Sequence, residues 1–110
     1  MILNKPIGKK DLHHCTHKNF GENMVKLVAD LHREILAYDA EWHADLEAEL
    51  LADDSEQKDL WGFNYYLDND LLEYNSLINI RSTENRSADI IDANICAHVE
   101  RIFRMWVRDE

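Results

Sequence analysis

A two-residue period that recurs between Trp42 and Ile80, strict over Trp42 to Leu50, is the feature that most constrains this chain. Trp42, Ala44, Leu46, Ala48 and Leu50 are apolar or small, with His43, Asp45, Glu47 and Glu49 between them. Trp61, Phe63, Tyr65 and Leu67 repeat the pattern, as do Leu72, Tyr74, Ser76, Ile78 and Ile80. Successive side chains of a strand point to opposite faces, so alternation predicts strands with one apolar and one polar face. Strands are therefore expected over 42–52, 60–67 and 72–80. The first of these carries a conflict. Ala, Glu and Leu are intrinsic helix formers, and Trp42, Leu46 and Leu50 also recur every fourth residue. The unbroken alternation favours the strand. Asp53 to Asp59 reads as an acidic loop, and Asp68-Asn69-Asp70 has the chemistry of a tight turn.

Flanking segments follow other periods. Over 8–20, Leu12, Cys15, Thr16 and Phe20 lie at helical spacing between Pro6 and Gly21, which predicts a short helix. Residues 24–38 admit two readings: a helix on Met24, Leu27, Val28, Leu31 and Ile35, or a hairpin on Val25, Leu27, Ala29 and Leu31 turning near His32–Glu34. The hairpin is preferred. Near the C-terminus, Asp92 is a good N-cap, and Ile95, Val99, Ile102, Phe103 and Trp106 form one stripe. A helix over about 92–108 is expected, with Arg101, Arg104 and Arg108 toward its negative end. The whole predicts a single α+β domain over 1–110. It is an antiparallel sheet of four or five strands with a short N-terminal helix and a longer C-terminal helix, both on one face. Trp61, Phe63, Ile78 and Ile80 are core candidates, and Trp42 and Trp106 sit at core-compatible positions.

Charge narrows the partners. The 110 residues carry −10, and residues 21–80 alone carry −12, against +3 over residues 1–20. Duplex nucleic acid is held through concentrated Lys and Arg, so it is not expected as a ligand. No apolar run approaches a membrane span or a signal segment. Two cysteines, Cys15 and Cys96, are too few for a disulfide-stapled scaffold, which points to a cytoplasmic protein with free thiols.

Short motifs resemble a small prokaryotic family of unknown function. They are Leu60-Trp61-Gly62-Phe63-Asn64-Tyr65-Tyr66, Ile78-Asn79-Ile80-Arg81 and Asn85-Arg86-Ser87. Pro6-Ile7, Phe20-Gly21, Met24-Val25-Lys26 and His43-Ala44-Asp45 extend the resemblance along most of the chain. The chain departs from the family pattern at Ser82, where the resemblance implies Pro, at Glu84, where it implies Gly, and at Ala88, where it implies Arg. The resemblance implies a shared fold and brings no activity with it.

Three constellations could carry chemistry. His13 and His17, four apart on a helix, share a face and could grip a metal, but two ligands fall short of a zinc set. No metal or other cofactor is expected. His43, Asp45, Glu47 and Glu49 share the polar face of the expected strand, and His43 could carry a proton; a fanned row of side chains reads better as a wet sheet face. The best candidate is the loop Arg81, Ser82, Asn85, Arg86 and Ser87. Two guanidinium forks could meet a phosphate or carboxylate, helped by loop donors. The same arginines could instead form structural ion pairs with this chain's many carboxylates.

The reading is accordingly a binding or protein-interaction domain, with a homodimer through open sheet edges as one form of it. An enzyme or binding protein for a small anionic ligand at Arg81 and Arg86 is the alternative, and an acidic decoy of a basic nucleic-acid-binding protein is the third. The balance leans against an enzyme.

Overall fold

A computed structural model describes residues 1–16 and 23–109. Four strands, β2 (Met24–Asp30), β3 (Ile35–Tyr38), β4 (Leu60–Tyr66) and β5 (Leu71–Glu73), form one antiparallel sheet in the order β3-β2-β4-β5. A two-residue parallel pair, β1 (Ile7–Gly8) with β6 (Val107–Arg108), sits apart from it. The α+β fold also has the α-helices α1 (His43–Ala52) and α2 (Ala93–Trp106). A 3₁₀ helix over Lys9–Cys15 occupies the described part of the expected N-terminal helix; residues 17–20 of that helix, with His17 and Phe20-Gly21, lie outside the described residues.

The hairpin over 24–38 forms as expected, Val28 opposite Ala37 and Asp30 opposite Ile35. Alternation on β2 and β4 divides the sheet's two faces. Val25, Leu27, Ala29, Trp61, Phe63 and Tyr65 bury one face against Leu12, Cys15, Val99, Ile102 and Phe103. The 3₁₀ helix and α2 thus share a face, as the sequence predicts. Phe103 anchors α2, edge-on to Phe63 at 6.0 Å and tilted against Tyr65 at 4.7 Å between centroids. Asp92 caps α2, its side chain accepting from the Asn94 amide at 2.8 Å.

The opposite face is not wet. Val28, Ala37 and Leu60 bury it against Leu46 and Leu50 of α1. Here the expected strand over 42–52 is corrected to a helix. His43, Leu46 and Leu50 point inward at i, i+3 and i+7, while Ala44 and Ala48 are exposed. The two alanines satisfied a strand pattern without having to be buried, and helix propensity prevails. Trp42 lies outside the core as the residue preceding α1, 56% exposed.

The expected strand over 72–80 is also cut short. β5 ends at Glu73, and the chain turns through a 3₁₀ helix at Leu77–Asn79. The turn still serves the β4 edge, through a side chain. The buried Asn79 accepts from the Gly62 amide at 2.8 Å and donates to the Gly62 carbonyl at 2.9 Å. Its amide replaces the next strand residue and closes an edge that would otherwise stand open. Gly62 permits the close approach: a Cβ there would lie 2.6 Å from the Ser76 Cβ. Ile78 is partly buried against the α1 face, whereas Ile80 is 51% exposed and leaves the core expected of it.

Candidate functional site

The arginine loop is held together by its backbone. The Arg81 amide donates to the Asn85 carbonyl at 2.6 Å. Asn85 is buried, its amide group donating to the carbonyls of Asn79, Ser87 and Asp89 and its oxygen accepting from the Ile91 amide at 3.0 Å. The Ser87 hydroxyl accepts from the Asp89 amide at 3.1 Å. Ser82 is exposed and contributes its carbonyl to the Arg86 Nε at 3.2 Å.

The two guanidinium groups have separate surroundings. That of Arg81 lies 3.8 Å from the Trp61 ring centroid. It donates to the Lys58 carbonyl at 2.7 Å, to the Gln57 carbonyl at 3.4 Å and closely to the Leu60 carbonyl. It therefore ties the carbonyl end of the Gln57–Asp59 turn to the start of β4. Burial pulls its pKa down. Arg86 is exposed. Among the described residues neither arginine pairs with a carboxylate, so the expected ion pair gives way to a carbonyl clasp at Arg81. A depression of about 300 Å³ opens beside Arg81, lined also by Lys58, Thr83 and Glu84, and Arg86 takes no part in it.

His13 is exposed on the first 3₁₀ helix while Cys15 is buried. Among the described residues no group of three or more His, Cys, Asp or Glu side chains is placed to hold a metal ion. Among the described residues no helix is long and apolar enough to cross a membrane.

A second cavity joins residues that the sequence pattern kept apart. A groove of about 220 Å³ separates the start of α1, at Trp42 to Ala44, from the turn at Asn75 to Ile78, with Lys26 and Asn64 of the sheet also lining it. Lys26, Asn64 and Glu73 stand in one register row across β2, β4 and β5. Glu73 accepts from the Asn64 amide at 2.8 Å and from the Tyr66 hydroxyl at 3.1 Å. Above them the His43 Nε2 lies 2.8 Å from the Phe63 carbonyl. A carbonyl only accepts, so Nε2 carries the proton and Nδ1 is left as an acceptor. Burial drives the His43 pKa down to about 4, against the smaller opposing pull of the Phe63 carbonyl, and the ring is neutral at physiological pH. Burial also lowers the Lys26 pKa, with Glu73 opposing.

Two details mark the groove as more than a packing fault. Asn64 is 5% exposed, and its Oδ1 meets no hydrogen-bond donor among the described residues. It adjoins the His43 ring and favours the ring's protonated form, yet no donor reaches it in hydrogen-bonding geometry. Buried polar atoms are nearly always matched, so an unmatched one calls for an explanation. On the rim, Trp42 and Leu77 are 56% and 80% exposed, large apolar groups turned to solvent beside a polar floor. Sequence reasoning singled out His43 but set it beside Asp45, Glu47 and Glu49. Lys26 and Asn64 lie in other elements, and their only signal is their place in the family motifs Met24-Val25-Lys26 and Leu60-Trp61-Gly62-Phe63-Asn64-Tyr65-Tyr66.

Fold and site together define a small α+β domain with an open groove between a helix start and a turn. The chain belongs to a family described as "Protein of unknown function (DUF5674)", whose profile matches residues 1–106. No curated protein and no solved structure matches it significantly.

Proposed function

We propose that this chain is a single small binding domain and that its ligand seat is the groove between the start of α1 and the Asn75–Ile78 turn. The unmatched Asn64 Oδ1 on a floor rimmed by exposed Trp42 and Leu77 carries this reading. Binding sites combine apolar walls with a few placed polar groups, and that is the composition here. The first two residues of α1, His43 and Ala44, line the groove, and the α1 N-cap makes no side-chain capping bond.

The anion clamp at Arg81, Ser82, Asn85, Arg86 and Ser87 has less support. Arg81 has a buried Nε that meets no acceptor among the described residues, but the rest of its guanidinium group is engaged with three carbonyls and an indole ring, and Asn85 with its own loop. A charge of −10 and two free cysteines favour a cytoplasmic binding role away from duplex nucleic acid. A fragment collection screened by amide chemical shifts tests the reading. Binders should move His43, Ala44 and residues Ser76 to Ile78. Binders that move only residues 81–87 would overturn it in favour of the arginine loop.

A further inference from the structure

We infer that the groove takes a small neutral molecule whose apolar body carries an N–H or O–H donor, such as a primary amide or an alcohol. This rests on the groove being the binding seat, and it adds the chemistry of the occupant.

Asn64 calls for the donor. Its amide nitrogen donates to the Glu73 carboxylate at 2.8 Å and to the Asn75 carbonyl at 3.2 Å. A carboxylate and a carbonyl only accept, so the side-chain amide cannot be turned end for end. Oδ1 is therefore the end that lies away from them. Asn64 lines the groove and is 5% exposed, and this oxygen meets no donor among the described residues. A buried acceptor left unmatched is costly, and an incoming N–H or O–H removes the cost. A carboxylate or phosphate oxygen would set one acceptor against another. Charge around the floor then calls for neutrality. Lys26 and Glu73 flank Asn64 in one register row, on β2 and β5. A ligand cation matched to Asn64 would stand beside Lys26, and a ligand anion beside Glu73. A charged group also loses far more than a neutral one when it leaves water for such a place. The apolar body answers to Trp42, Leu77 and Ile78, which offer a wall for a short hydrocarbon. The volume of about 220 Å³ lies below the roughly 300–1,000 Å³ of sites for drug-sized molecules, so the molecule is small.

The test is a titration of the isotope-labelled full chain, followed by amide shifts, with compounds that differ by one group. Isocaproamide, methyl isoamyl ketone and isocaproate share a hydrocarbon and a carbonyl, and carry an amide nitrogen, a methyl and an anionic oxygen at the same place. Isoamyl alcohol and isoamylamine compare a neutral donor with a cationic one. Isocaproamide and isoamyl alcohol should move His43, Ala44 and Ser76 to Ile78. The ketone and isocaproate should bind at least about tenfold more weakly than the amide, since sites built to hydrogen-bond a ligand group reject analogues without it. Isoamylamine should bind more weakly than the alcohol. In Asn64→Ala the preference for the amide over the ketone should shrink; should that variant misfold, the wild-type series decides alone. A ketone that binds as tightly as the amide, or an unchanged preference in folded Asn64→Ala, would overturn the donor. Tighter binding by isocaproate or isoamylamine would overturn neutrality. Silence from the amide and the alcohol while unrelated fragments still move the same amides would overturn this inference and leave the groove reading intact. Fragments that also miss these amides would overturn both.

Discussion

His43 Nε2 donates to the Phe63 carbonyl at 2.8 Å, tying the first residue of α1 to the central strand β4. The ring is buried and neutral, its pKa pushed down to about 4. The unfolded chain takes up its proton near 6.5. Between these values the unfolded state binds more protons than the folded one, so stability falls as pH drops from about 6.5 towards 4. The contribution is about 3 kcal/mol at full extent. Urea denaturation over this window should show the loss in the wild type and a shallower one in His43→Leu. An equal slope in both would show that the imidazole titrates freely.

The contact of the turn with β4 should be the most sensitive packing in the sheet. Gly62→Ala places a Cβ 2.6 Å from that of Ser76, and overpacking of this kind costs about 1–3 kcal/mol. Asn79→Ala strips both bonds from Gly62 and one from the Ala88 carbonyl. Groups left unmatched in a buried place cost about 1–3 kcal/mol each, so the loss should be at least about 2 kcal/mol. Denaturation midpoints near wild type in both variants would contradict the docked turn.

The two arginines should separate under mutation. Arg81→Lys keeps the charge but cannot span three carbonyls, because an ammonium lacks the planar fork; the melting temperature should drop. Arg86→Gln alters an exposed side chain with one bond to a loop carbonyl, and should change stability by less than about 0.5 kcal/mol. Equal losses in the two variants would contradict the clasp.

Helix α2 and the hairpin were legible because their signals were redundant. Asp92 marks a start, and Val99, Ile102 and Phe103 keep one period and are all buried. Val25, Leu27 and Ala29 alternate and all face one side. Residues 42–52 misled because Ala44 and Ala48 fit either period, and only Leu46 and Leu50 with His43 had to be buried. Residues 74–80 misled for another reason. Their key buried side chain is Asn79, polar and matched by backbone, which a hydropathy pattern counts as exposed. The groove followed from both errors. With 42–52 taken as a strand, His43 appeared among acids on a wet face, and its neighbours Lys26, Asn64 and Ser76 could not be grouped with it.

The most direct measurement fills the groove and leaves the core alone. Ala44 lines the groove and is exposed at the second position of α1, so Ala44→Trp should occupy the space without burying anything new. The account predicts a melting temperature close to wild type together with loss of binding by every compound that moves His43 and Ser76 to Ile78. Undiminished binding by a folded Ala44→Trp would contradict the placement of the ligand seat in this groove.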